Sequence, residues 1–143
     1  MARSDQEQAM ASIHRDTVIA APAAALWDAM RDVGALHTRL VPGFVTHCDM
    51  AGDTARQVRF ANGAEVREVI VTVDDDARRI VWSAAGGRLT HHNASAQVLD
   101  EGDAGCRVVW IADLLPDAMA PAIATMIESG LAAMKAHAEA TAA

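Results

Sequence analysis

Between Phe44 and Leu115, apolar runs of strand length alternate with turn signals at residues 50–54, Asn62-Gly63, residues 74–77, Gly86-Gly87 and residues 100–105. This punctuation predicts strands over residues 44–49, 55–61, 64–73, 79–85, 89–99 and 106–115, joined as an antiparallel meander. Asn62-Gly63 is the strongest hairpin signal, because both central positions of a type I′ turn need positive φ. Ahead of the meander, residues 13–20 alternate imperfectly as a first strand, which Pro22 stops. Leu26 and Met30 then share a face at spacing four, so a short helix runs from Ala23 through Met30. A second short helix carries Leu36 and Leu40, with Asp32 as its cap and Pro42-Gly43 as its end. After Pro116, the residues Met119, Ile123, Met126, Ile127, Gly130 and Met134 form one stripe at spacings of three and four. A helix of about 20 residues there would be roughly 30 Å long, enough to lie across a whole sheet. The expected fold class is α+β, with a seven-stranded curved antiparallel sheet wrapped on a long C-terminal helix and two short helices after the first strand.

Side-chain alternation assigns faces. Val58 and Phe60 oppose Gln57 and Arg59, while Ala94, Ala96 and Val98 oppose Asn93, Ser95 and Gln97, which puts His92 on the alanine face. A sheet surface of alanines leaves volume that large residues from another element, or a ligand, must fill. Glu68 shares its face with Val66 and Ile70, but the opposite face carries Val69, Val71 and Val73, so periodicity leaves its direction open. Thr46 lies between Phe44 and Cys48 by the same parity. Trp82 and Trp110 sit in apolar strands and serve either as flat cavity walls or as core. Asp113 shares the face of Arg107 and reads as outward.

Composition narrows the function classes. At 143 residues and 52% hydrophobic content, the chain accommodates one domain, expected over residues 12–143 after a flexible tail at 1–11. A net charge of −7 argues against nucleic acid and against anionic membrane surfaces. No apolar run approaches the 18 or so residues that span a bilayer, so membrane insertion is not expected. Cys48 and Cys106 lack metal-ligand or disulfide-frame spacing, so buried thiols in a reducing cytoplasm are the expectation. The six histidines show no HExxH or related spacing, and nucleotide-binding and hydrolase motifs are missing. No metal and no cofactor are expected. A homodimer is left open, since the outer sheet face or an edge strand could pair.

The order of strand, two short helices, six strands and long helix resembles the START-like superfamily of polyketide cyclases, dehydrases and lipid-transport proteins, which has the helix-grip fold of the Bet v 1 allergens. The resemblance spans roughly residues 13–140 and rests on TVIAAPAAALWDAM, FVTHC, EVREVIVTVDDDARRIVWSAAGG, RLTHHNASAQV and VVWIADLLPDAM. It implies a cavity between the sheet and the long helix. The plant abscisic acid receptors look similar around EVREVIVTVDDD and IVWSAAGG, and that likeness implies pocket positions at Val58, Phe60, Glu68, Trp82, His92, Ala94, Met126 and Gly130. Their pocket lysine falls on Thr46 here, which puts an acidic ligand in doubt.

The leading expectation is a protein that holds a hydrophobic or amphipathic small molecule, whether lipid, polyketide or another aromatic or isoprenoid-like ligand. Its apolar walls would include Val58, Phe60, Trp82, Trp110, Ile123 and Met126, with Thr46, Ala94 and Gly130 also at the site. Glu68 and His92 would orient the ligand's polar group. A second expectation is a cyclase or dehydratase in which His92 and Glu68 transfer protons. A third is a protein-interaction module working through its outer surface.

Overall fold

The computed structural model describes residues 9–85 and 88–143. In chain order its elements are β1 (Ala11–Ile19), α1 (Ala23–Arg31), a five-residue π-helical turn (Leu36–Leu40), β2 (Val45–Met50), β3 (Ala55–Phe60), β4 (Glu65–Asp74), β5 (Arg79–Ala85), β6 (His91–Asp100), β7 (Cys106–Leu115) and α2 (Ala120–Ala142). Short 3₁₀ turns at Gly102–Ala104 and Asp117–Met119 complete the order. The strands form one curved antiparallel sheet in the order β1-β7-β6-β5-β4-β3-β2. Strands β2 to β7 are therefore a meander, and β1 closes onto the last of them, leaving β1 and β2 as the edges.

The inner face follows the alternation read from the sequence. His92, Ala94, Ala96 and Val98 are buried along β6, and Cys106, Val108, Ala112 and Leu114 along β7. Glu68 is buried while Val69 and Val71 are exposed, which settles the direction of β4. A bulge between Ile70 and Thr72 then shifts the register, so Val73 returns to the core face. Both cysteines are free and buried.

Three local expectations are corrected. The Asn62-Gly63 turn is not type I′: Gly63 has φ of 90° but Asn62 does not have positive φ. Phe60 N–H donates to Ala64 O and Gly63 N–H to Phe60 O, so the hairpin is a three-residue loop with glycine in the left-handed position. Asp32 does not cap the second short helix: it closes the C-terminal end of α1, its carboxylate accepts from Arg39 Nη1 at 3.0 Å, and the segment it precedes is a π turn closed by Val41 N–H to Leu36 O. The first strand starts at Ala11, paired with Leu114, so the expected tail is shorter than residues 1–11. Residues 1–8 of that tail and the Gly86-Gly87 turn lie outside the described residues.

Helix α2 packs through Ile127, Gly130, Leu131 and Met134. Gly130 marks the closest approach: a Cβ there would lie 2.8 Å from Trp110 Cζ3 and 3.1 Å from Phe44 Cε2. At its C-terminal end α2 is tied to the end of β1, where Lys135 Nζ donates to Val18 O at 2.8 Å and Ala20 N–H donates to Glu139 Oε2 at 2.9 Å. Helix α1 is tied to the β4–β5 turn by Trp27 Nε1 (2.9 Å) and Arg31 Nε (2.7 Å), both donating to Asp75 Oδ1.

Gly130→Ala should lower stability by about 1–2 kcal/mol in urea unfolding, because overpacking against Trp110 outweighs the helix propensity gained. Acid should act through the two ties. The backbone N–H of Ala20, then Lys135, holds the Glu139 carboxyl below its ordinary 4.5, and Arg31 with Trp27 holds Asp75 below 3.8. The unfolded chain takes up these protons first, so stability present above those ordinary values is lost as pH falls below them. Glu139→Gln should flatten the pH dependence of the melting temperature in that acid range.

Candidate functional site

The candidate site grows from one row of inward residues running across the sheet. Arg56 on β3 is paired with Glu68 on β4, and Glu68 with Ala84 on β5. Ala84 N–H donates to the ring of His92 on β6, and His92 is paired with Leu114 on β7. The row borders a cavity of about 140 Å³ between the sheet, α2 and the π turn. Its remaining wall is apolar: Phe44 and Phe60 meet edge to face at 5.4 Å, Trp82 and Trp110 at 5.7 Å, and Ile123, Met126, Ile127 and Met134 come from α2. Leu36 and Leu40 of the π turn close one side.

The polar end is an ion pair with only 4% and 10% of its two side chains exposed. Arg56 Nε donates to Glu68 Oε1 at 2.8 Å and Nη1 to Val33 O at 3.0 Å, while the guanidinium lies 5.9 Å from the Trp82 ring centroid. A buried carboxylate without such a partner would carry a heavy desolvation penalty. Among the described residues, Arg56 Nη2, Glu68 Oε2 and His92 Nε2 have no hydrogen-bond partner.

His92 accepts the Ala84 N–H at Nδ1, 3.0 Å away, so in the neutral ring the proton sits on Nε2. Burial, and to a lesser extent neighbouring His91, pushes its pKa below the ordinary 6.5. His92 therefore offers the cavity a neutral N–H donor. Glu68 bonds to Arg56 and His92 to Ala84, and among the described residues no hydrogen bond joins Glu68 to His92.

Of the residues singled out in the sequence, Phe60, Glu68, Trp82, His92, Trp110, Ile123 and Met126 line the cavity. Val58 and Ala94 are buried in the sheet behind that wall, and Gly130 lies under Trp110. Thr46 is displaced: the β2–β3 register shifts between Val45 and His47, so Val45 and Cys48 turn inward and Thr46 is exposed, its hydroxyl donating to Arg59 O. Arg56 was not singled out, although it shares the parity of Val58 and Phe60. A charged residue on an otherwise apolar face was the available signal.

The family model for polyketide cyclase/dehydrase and lipid transport matches residues 10–139. The chain belongs to that family. Comparison with curated protein sequences finds no match. Solved structures share the fold of this polyketide cyclase/dehydrase family member. Norcoclaurine synthase from Thalictrum flavum is 21% identical with a TM-score of 0.72, over 90% of this chain and 93% of that one. An uncharacterised protein from Bacillus thuringiensis is 14% identical with a TM-score of 0.75, over 90% and 97%. A protein from Thermobifida fusca is 29% identical with a TM-score of 0.67, over 90% of each chain. No described helix is long and apolar enough to cross a membrane.

For His92, the unfolded chain binds a proton at higher pH than the folded one, so stability is greatest above 6.5 and declines as pH falls below it. Replacing His92 with Gln should remove that component from a urea-unfolding series taken between neutral and mildly acidic pH.

Proposed function

We propose that this protein binds a small amphipathic molecule, with its apolar body between sheet and α2 and its polar group at the Arg56–Glu68–His92 end. The observation that carries this reading is a partly enclosed apolar cavity with one cluster of polar groups, an arrangement suited to orienting a small ligand. Membership of a family described by polyketide cyclisation and lipid transport supports it.

Size favours one class of ligand. The cavity, at about 140 Å³, is close to the engineered cavity of about 150 Å³ that takes up benzene. It falls short of the roughly 300–1,000 Å³ usual for drug-sized ligands. A single substituted ring fits; a lipid chain or fused polyketide would require α2 or the π turn to move. Binding rather than turnover is the reading favoured, since His92 is set as a donor and Glu68 is held by Arg56.

Native mass spectrometry of the purified protein, with extraction of anything bound, tests the class directly. Ala96, buried on the cavity floor, provides the control. Ala96→Leu should abolish uptake of para-xylene followed by NMR while preserving or raising the melting temperature. Retained uptake in this variant would refute the assignment of the cavity as the binding site.

A further inference from the structure

We propose that the Arg56–Glu68 pair makes this cavity selective for neutral, hydroxyl-bearing rings over carboxylates of the same shape, with Ala84 as the floor on which the ring lies. The inference rests on the cavity-binding reading above and adds the chemical class of the ligand.

The polar end carries no net charge, because the guanidinium and carboxylate cancel and the His92 ring is neutral. An incoming carboxylate would be desolvated without a counter-charge of its own, and it would meet Glu68 Oε2. A hydroxyl does better there. It can accept from Arg56 Nη2 and donate to Glu68 Oε2, the two atoms that have no partner among the described residues and that come from paired positions on adjacent strands. A carboxylate accepts at both oxygens and can satisfy only the first of these.

Glu68 is paired with Ala84, and Ala84 N–H reaches the His92 ring, so the two polar groups stand on either side of Ala84. The residue between them has only a methyl group. A flat ring can lie over Ala84, with its hydroxyl at the ion pair and a carbonyl or ether oxygen accepting from His92 Nε2. The Trp82 and Trp110 rings provide apolar wall beside it.

Calorimetric titration at neutral pH with para-hydroxyacetophenone, para-acetylbenzoate, in which a carboxylate replaces the hydroxyl, and para-xylene tests this. The hydroxy ketone should bind the wild-type protein at least about tenfold more tightly than either of the others. Glu68→Gln leaves a net positive end and should shift the preference toward para-acetylbenzoate. Because that variant buries an unpaired charge, Arg56→Met/Glu68→Leu serves as the variant expected to fold. It should still bind para-xylene but lose the preference for the hydroxyl compound. Para-xylene binding with no preference for the hydroxy ketone, or equal binding of the carboxylate, would overturn the selectivity while leaving the cavity reading intact. Failure of all three to bind the wild-type protein would overturn both.

Discussion

A carboxylate cannot face an apolar cavity alone, and the inner surface of this sheet is organised around the way Glu68 avoids doing so. Its partner comes from the adjacent strand at the directly opposite position, so the antiparallel register that aligns β3 with β4 also brings guanidinium to carboxylate. Arg56 is held in turn by the Val33 carbonyl, in the stretch after α1, and lies near the Trp82 ring. One ion pair thus links the β3–β4 register, the chain leaving α1 and the aromatic wall. Removing one partner of such a pair costs about 3–5 kcal/mol, whereas replacing both by apolar groups is often neutral. The pair is therefore poorly explained as a device for stability alone. Its placement at the cavity edge, with one donor and one acceptor lacking partners among the described residues, fits ligand recognition better.

The cavity exists because small and large residues are segregated. β5 and β6 contribute Ala84 and Ala96 to its floor, while the bulk comes from Trp82, Trp110, Phe44 and the α2 stripe. Helix α2 could settle closer and fill the space, but Trp110 stands under Gly130 with no room for even a methyl group. That contact fixes how near the helix can come at its midpoint. The ties from Lys135 and Glu139 to the end of β1 fix its far end. Packing that is too tight at one point thereby preserves space at another, which is how a close-packed interior keeps a void.

The fold was legible because turn chemistry and alternation agree along most of the chain. Parity placed His92, Ala94, Ala96 and Val98 on the buried face, and the α2 stripe supplied their partner. It failed where the period of two breaks. The irregularity between Val45 and His47 turned Thr46 outward, a change that no residue count through β2 can reveal. Parity was undecided at β4 because both faces are apolar, and what decides it is Arg56, a counter-charge on a different strand. Arg56 escaped attention for the converse reason: a lone arginine reads as surface until its partner is known. The π turn at Leu36–Leu40 was readable as a buried pair of leucines but not as a backbone conformation, since its leucine spacing of four also suits an α-helix.

His92 shows how backbone geometry limits chemistry. A histidine on a cavity wall invites assignment as a base, but a base must present an unprotonated nitrogen to the substrate. Here the nitrogen able to accept is occupied by the Ala84 N–H, which lies at the end of the described β5–β6 contact. Protonating the ring would place a proton against that donor and a second charge in a space already lined by Arg56. Burial opposes it as well. Each of these factors favours the neutral Nε2–H tautomer, so His92 can polarise or orient a ligand oxygen but is poorly placed to abstract a proton from it. A member of this fold that performed acid–base chemistry through the equivalent position would need that backbone N–H satisfied elsewhere, so that Nδ1 could carry the proton and Nε2, facing the cavity, could accept one.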